Sequence, residues 1–168
     1  IGNYNGSAQM KNAWVTELVP HGDNHTYEGG VCTVCGASEP VAGATTLNVA
    51  MSDVATANGW VDATQYTEFD ADANITVSVT GGGNTGKYYV NGNNWRIYQN
   101  ESPAITIAAA NGKTIKSVKI SYTINNNGVL TLNGNNVEND TLVTVDAASI
   151  TFGVGNTSTK TNGQVRIT

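Results

Sequence analysis

The stretch Ile75-Thr76-Val77-Ser78-Val79-Thr80 (ITVSVT, residues 75–80) alternates apolar and polar side chains without interruption. Because successive side chains of a β-strand point to opposite faces, this alternation predicts a strand with one buried and one solvated face. The same period of two recurs at 47–51, 118–123, 150–154 and 165–168, and further short strands are predicted at 104–109, 129–132 and 141–146. With the aromatic stretch 86–100, about nine short strands predict an all-β fold, a two-sheet antiparallel β-sandwich of the jelly-roll kind.

Asn-Gly pairs separate most of these runs. Both residues tolerate a positive φ, so the pair is a strong signal for a tight turn. The sequence also predicts one short helix, with Ser52 as its N-cap, residues 53–58 as its body and Gly59 at its end. The seven pairs begin at Asn5, Asn58, Asn91, Asn111, Asn127, Asn133 and Asn162.

The charge of the chain restricts its partners. The formal net charge is -5, and residues 37–86 contain six acids and no Lys or Arg. Such a surface repels phosphate backbones, so we expect no nucleic-acid partner. No apolar run approaches the roughly 20 residues that a membrane span needs. The chain begins without an initiating Met or a signal peptide, so we expect any targeting signal, and further domains of the same parent chain, to lie upstream.

Both histidines and both cysteines lie between residues 21 and 36, with the spacing His21-x3-His25-x6-Cys32-x2-Cys35. These are four ligands of the types that suit Zn²⁺, and four would close a tetrahedron and leave no position for water. The spacing therefore predicts a structural zinc site that fastens a small Cys/His ribbon. A Cys32–Cys35 disulfide, free thiols, or a site without His21 remain open alternatives.

The same cluster does not indicate catalysis. A thioredoxin-like C-x-x-C needs a following helix to lower the thiol pKa, and here Gly36, Ser38 and Pro40 follow. Because both histidines lie in this segment, the main domain has none of its own for a Ser-His or Cys-His arrangement. We therefore expect no enzyme activity in the sandwich.

The stretch GKYYVNGNNWRIYQN (residues 86–100) is the strongest candidate for ligand binding. It combines Tyr88, Tyr89, Trp95 and Tyr98 with Arg96 and several amides. Sugars stack on aromatic rings while amides and guanidinium groups hydrogen-bond their hydroxyls, so this composition is typical of a carbohydrate-binding surface. Strand alternation places Trp95 on one face of the strand and both Arg96 and Tyr98 on the other. The alternative to ligand binding is that the aromatic side chains pack in the core.

A second oxygen-rich pattern is Asp70-x-Asp72-x-Asn74, which is similar to the start of a calcium loop. The glycine and the distal glutamate that complete an EF-hand are missing. The sequence therefore favours a solvated turn over a calcium site.

Three segments resemble known families. IGNYNGSAQMKNAWVTELV (1–19) is similar to the last two strands of an OB-fold module found in large surface proteins of anaerobic gut bacteria, and HTYEGGVCTVCGA (25–37) resembles the Cys/His ribbon inserted between their domains. Residues 45–60, 84–123 and 150–168 together resemble a β-sandwich module of secreted bacterial proteins. The resemblance implies a galactose-binding-like jelly roll, extracellular placement and a modular, non-catalytic role.

These observations predict the organisation of the chain. We expect truncated OB-like strands in residues 1–20, the Cys/His ribbon in 21–40, a linker in 41–44 and the sandwich in 45–168. The predicted function is non-catalytic binding of a glycan or cell-surface ligand by an extracellular module. A purely structural spacer or adhesin stalk, and an accessory fragment of an enzyme with an upstream catalytic domain, are the alternatives.

Overall fold

The computed structural model describes residues 26–28, 31–34 and 44–168. The chain divides into two units after Thr45. In the first unit, β1 (Tyr27–Glu28) pairs antiparallel with β2 (Val31–Cys32). The predicted OB-like strands of 1–20 and most of the linker 41–44 lie outside the described residues, so the predicted domain boundaries stay predictions.

The second unit, Thr46–Thr168, consists almost entirely of strands. It contains the helix α1 (Met51–Asn58), a 3₁₀ turn (Gln99–Glu101) and thirteen strands. In chain order the strands are β3 (Thr64–Gln65), β4 (Glu68–Asp70), β5 (Ile75–Thr80), β6 (Lys87–Tyr89), β7 (Asn94–Tyr98), β8 (Ala104–Ala109), β9 (Ile115–Lys119), β10 (Tyr122–Asn125), β11 (Gly128–Leu132), β12 (Asn135–Val137), β13 (Leu142–Ala147), β14 (Ser149–Asn156) and β15 (Gln164–Ile167).

Two large sheets form the body of this unit. One has five strands in the order β10-β15-β7-β6-β3, and the other has six in the order β12-β11-β14-β8-β5-β4. Strands β9 and β13 form a separate pair, and every strand pairing is antiparallel. The sheets pack as an antiparallel β-sandwich, consistent with a jelly roll, which confirms the predicted fold class.

Alternating apolar residues fill the space between the sheets. On β14, Ile150, Phe152 and Val154 are buried while Thr151 is exposed. On β7 and β15, Ile97 and Val165 are completely buried. Burial of such side chains removes apolar area from water, at about 25 cal/mol for each Å², and this stabilises the sandwich.

Five aromatic rings occupy one end of the core. Trp60 stacks on Tyr66 with ring centroids 4.4 Å apart, and it meets Phe69 and Tyr88 edge-on, each at 5.7 Å. Phe69 in turn meets Trp95 edge-on at 5.8 Å. Offset and edge-to-face contacts of this kind add to the free energy gained from burial.

The segment before α1 differs from the prediction. Residues 44–50 have no regular structure, so the predicted strand at 47–51 is wrong. Leu47 and Val49 are exposed, and only Met51 is buried, as the first residue of the helix. The N-cap is Ala50 rather than Ser52, whereas Gly59 ends the helix in the left-handed conformation (φ 64°), as predicted.

The predicted strand at 118–123 is two strands. Strand β9 pairs with β13, and β10 pairs with β15 in the five-stranded sheet, so the chain leaves one sheet and enters another at residues 120–121. The apolar period runs through this break because Val118 on β9 is partly buried and Tyr122 on β10 is buried, although Ile124 at the end of the pattern is exposed. Among the described residues, no helix is long and apolar enough to cross a membrane.

Candidate functional site

Strand alternation divides the five residues predicted to bind a ligand. Tyr88 and Trp95 point into the sandwich and are 3% and 1% exposed. The indole Nε1–H of Trp95 donates to the carbonyls of Gly86 (2.7 Å) and Tyr66 (2.9 Å), and the Tyr88 hydroxyl donates to Asn93 Oδ1 (2.9 Å). Both rings are therefore core residues with no face for a ligand, which is the alternative that the sequence left open.

The other three predicted residues lie together on the outer surface of the five-stranded sheet. The Arg96 guanidinium carbon lies 3.6 Å from the centroid of the Tyr89 ring, a cation–π contact. Tyr98 lies beside both residues and is partly exposed, as they are. Arg96 Nε–H donates to Asn94 Oδ1 at 2.9 Å, which fixes the plane of the guanidinium group.

The Tyr98 hydroxyl stays protonated in this cluster. Partial burial raises the pKa of Tyr98, and the neighbouring Tyr89 raises it further, while Arg96 lowers it by a smaller amount. The net effect is a pKa above the usual value for tyrosine. At neutral pH the phenol can therefore both donate and accept hydrogen bonds.

Pairing of β15 with β7 adds residues that the sequence did not bring to this site. Gln164 lies opposite Tyr98, and Arg166 lies opposite Arg96. Arg166 Nε–H donates to Gln164 Oε1 at 2.5 Å, so each arginine is held by an amide two residues earlier on its own strand. We call this surface the tyrosine–arginine face; it comprises Lys87, Tyr89, Asn94, Arg96, Tyr98, Gln164 and Arg166.

Alternation along β15 could have assigned Arg166 to an outer face, because it lies between the apolar Val165 and Ile167. It could not have identified β7 as the partner strand. That pairing joins positions about seventy residues apart, and nothing in the local pattern encodes it.

Two loops position the strands of this face. In the β6–β7 hairpin, Gly92 (φ 92°) and Asn93 (φ 44°) take positive φ values, and the Asn94 side chain donates to the carbonyl of Asn91 (3.1 Å). At the opposite end, Thr85 Oγ1 accepts the backbone N–H of Tyr98 at 3.2 Å. Strand β7 is therefore fixed at both ends of the segment that carries Arg96.

A separate shallow cleft of about 430 Å³ lies beside the edge strand β10. Its lining includes exposed Ile124, the phenol of Tyr122 and one carboxylate, Glu138. Burial raises the pKa of Tyr122, and its hydroxyl donates to the carbonyl of Val137 at 2.7 Å. Tyr122 and Glu138 are the titratable residues in this lining.

Of the predicted zinc ligands, the structure describes Cys32, which ends β2 and is 3% exposed. His21, His25 and Cys35 lie outside the described residues. Within residues 26–28, 31–34 and 44–168, no three His, Cys, Asp or Glu side chains gather as a metal site.

The oxygen-rich turn at 70–74 uses its carboxylates locally. Asp72 Oδ1 accepts the backbone N–H groups of Asn74 (2.7 Å) and Ile75 (2.8 Å), the pattern of an Asx turn. Asp70 Oδ1 accepts from the hydroxyl of Thr76 at 2.8 Å. Both carboxylates of the turn therefore accept hydrogen bonds from neighbouring residues.

The tyrosine–arginine face is thus a sheet surface that combines partly exposed aromatic rings and guanidinium groups with two buried amides, those of Asn94 and Gln164. No protein family, curated protein or solved structure matches this chain.

Proposed function

We propose that the sandwich is a non-catalytic carbohydrate-binding module, of the galactose-binding-like type, carried by a secreted or surface-attached bacterial protein. The observation that carries this proposal is the cluster of Tyr89, Arg96 and Tyr98 on an open sheet surface.

The cluster supplies both kinds of contact that a sugar needs. A partly exposed tyrosine ring presents an apolar surface on which the C–H face of a sugar can stack. Arg96 is a donor whose orientation is already fixed by Asn94 and Tyr89, so little side-chain freedom is lost when it binds a hydroxyl. The neutral Tyr98 hydroxyl adds a group that donates and accepts.

A glycan-array screen of the whole chain tests the proposal, with Tyr98→Ala and Ile124→Ala compared beside it. We expect specific glycans to bind the unmodified chain and the Ile124→Ala variant, and binding to fall at least tenfold in Tyr98→Ala, as loss of one stacking and hydrogen-bonding anchor predicts. If Ile124→Ala lost glycan binding and Tyr98→Ala kept it, the binding site would be the cleft beside β10 instead. Absence of binding by the folded chain would favour a spacer or adhesin stalk.

For the segment 21–40 we propose a structural zinc site formed by His21, His25, Cys32 and Cys35. Two thiolates and two imidazoles would complete the tetrahedral coordination of Zn²⁺. The burial of Cys32 is compatible with a role as a ligand. Metal analysis of the purified chain should give one zinc per chain and Cys32→Ser should lose it. Unchanged metal content in this variant would contradict the proposal.

A further inference from the structure

Strand register places three cations in one row across the tyrosine–arginine face. Lys87 on β6 lies opposite Arg96 on β7, and Arg96 lies opposite Arg166 on β15. The chain has eight Lys and Arg residues, and its two arginines are these neighbours. The strands are about 4.8 Å apart, so a ligand lying along the row would meet a positive group at each strand.

This row opposes folding, because like charges directly across a strand pair repel. No carboxylate of the same sheet offsets the repulsion, since its five strands contain no Asp or Glu. Among the described residues, the one ion pair joins Lys116 and Asp146, away from the row. Lys87 Nζ donates to the side-chain oxygen of Asn84 at 2.9 Å, so none of the three cations forms an ion pair with a described residue.

The hydrogen bonds on the row orient the arginines without neutralising them. Each Nε–H donates to a neutral amide oxygen, of Asn94 for Arg96 and of Gln164 for Arg166. A carboxylate in either amide position would have cancelled a charge at the same geometry. The arrangement therefore keeps two guanidinium groups fixed in orientation and fully charged.

We infer that the row binds the carboxylates of an acidic polysaccharide, so that the glycan bound by this module carries uronic acids. This inference rests on the proposed function and specifies its ligand class. The planar fork of arginine matches a carboxylate through two parallel hydrogen bonds, and Tyr89 and Tyr98 flank the row where the sugar rings would stack. A neutral glycan would leave all three charges uncompensated.

A nucleic acid fits the same molecule less well. Duplex DNA carries a negative charge for about every 1.7 Å of its axis, and its binding proteins neutralise several phosphates at once. This chain has a net charge of -5 and one row of three cations. A polymer with one carboxylate on each sugar matches a short row with less repulsion from the rest of the surface.

The test compares polygalacturonate with the same polymer after complete methyl esterification, using the whole chain in affinity electrophoresis and calorimetry. Esterification removes the charge and retains the sugar, so we expect at least about tenfold weaker binding of the ester. Arg166→Gln should weaken binding of polygalacturonate by a similar factor. Arg166→Lys keeps the charge but loses the two parallel hydrogen bonds of the guanidinium group, so its affinity should lie between those of the unmodified chain and Arg166→Gln. Lys160 is exposed, and Lys160→Gln should bind like the unmodified chain.

The possible outcomes separate this inference from the proposed function. If polygalacturonate and its methyl ester bind equally well, and Arg166→Gln changes neither affinity, the inference is wrong. The proposed function would then stand for a module that binds neutral glycans. Equally tight binding of dextran sulfate or single-stranded DNA would overturn selectivity for carboxylated sugars. Failure to bind any glycan would overturn both. The urea midpoint of Arg166→Gln should equal or exceed that of the unmodified chain, because one repulsion is removed, so lost binding would not reflect unfolding.

Discussion

Glu101 fixes the loop that precedes the tyrosine–arginine face. Its Oε2 accepts the backbone N–H groups of Asn84 (3.1 Å) and Thr85 (2.6 Å), and its Oε1 accepts from the Asn84 side-chain amide (2.9 Å). Thr85 is 1% exposed and in turn accepts the backbone N–H of Tyr98. One carboxylate thus connects a glycine-rich loop to the strand that carries the candidate site.

These contacts make the effect of Glu101 depend on pH. Partial burial raises the pKa of this carboxyl, but hydrogen bonds from Asn84 and Thr85 outweigh it and lower the pKa below its usual value. A carboxyl with a lowered folded-state pKa stabilises the fold above its unfolded pKa, and this stabilisation is lost as pH falls through the folded value.

We therefore expect Glu101→Gln to lower the free energy of unfolding at pH 7 by about 1–2 kcal/mol. The difference from the unmodified chain should shrink as pH falls from the unfolded pKa of about 4.3 through the lower folded-state pKa, because Glu101 takes up a proton over that range. Urea denaturation at pH 7 and pH 3 measures both values. Exposed Glu138→Gln is the control and should change little at either pH. A Glu101→Gln effect of the same size at both pH values would show that charge is not the cause.

At the scale of elements, the backbone of β11 comes close to that of β15 in the opposite sheet at Gly128. A Cβ on Gly128 would lie 2.3 Å from the backbone nitrogen and 2.4 Å from the carbonyl oxygen of Gln164 on β15. Backbone atoms in a strand cannot rotate away as the end of a flexible side chain can. A glycine is therefore required where these two strands meet.

Gly128→Ala should destabilise the sandwich by at least about 1–3 kcal/mol, the range expected for overpacking. Gly83→Ala is a matched control, because a Cβ there would meet no heavy atom within 4 Å. We expect that variant to stay within about 0.5 kcal/mol of the unmodified chain. Urea denaturation midpoints of the two variants measure this difference. Equal midpoints would mean that β11 and β15 can move apart at little cost in free energy.

Local pattern predicted the strands well and their partners poorly. Alternation located β5, β8 and β14. Burial alternates clearly on β14, whereas β5 and β8 bury Val79 and Ile105 and leave most of their other residues half-buried. The Asn133-Gly134 pair forms the predicted turn of the β11–β12 hairpin, with φ values of 52° and 80°. Alternation failed at Leu47, where no strand is available for pairing, and it could not foresee that Arg166 would lie opposite Arg96.

At the scale of the whole molecule, charge is divided between the two sheets. The strands of the five-stranded sheet contain three cations and no acid, whereas those of the six-stranded sheet contain Glu68 and Asp70 and no cation. A ligand of negative charge would therefore meet opposite fields on the two surfaces. If an acidic glycan binds as proposed, its orientation would follow from this division as well as from local contacts.

Completion of the sandwich depends on β15, which lies between β10 and β7 although it is the last strand described. Val165 is completely buried, and Gln164 is 4% exposed. Without this strand the five-stranded sheet would separate into two parts, and β7 would expose a long unpaired edge.

A chain that ends at Gly163 should therefore lack a cooperative unfolding transition, because it loses both the central pairing and the core contacts of Val165. A chain that ends at Ile167 is the control, since it keeps all of β15 and loses only the hydrogen bonds from the Thr168 N–H and the Thr168 hydroxyl to the carbonyl of Ser121. Near-ultraviolet circular dichroism of the buried tryptophans, followed through urea denaturation, distinguishes the two chains. A cooperative transition in the shorter chain would mean that β10 and β7 can pair directly, and that the row of cations is dispensable for the fold.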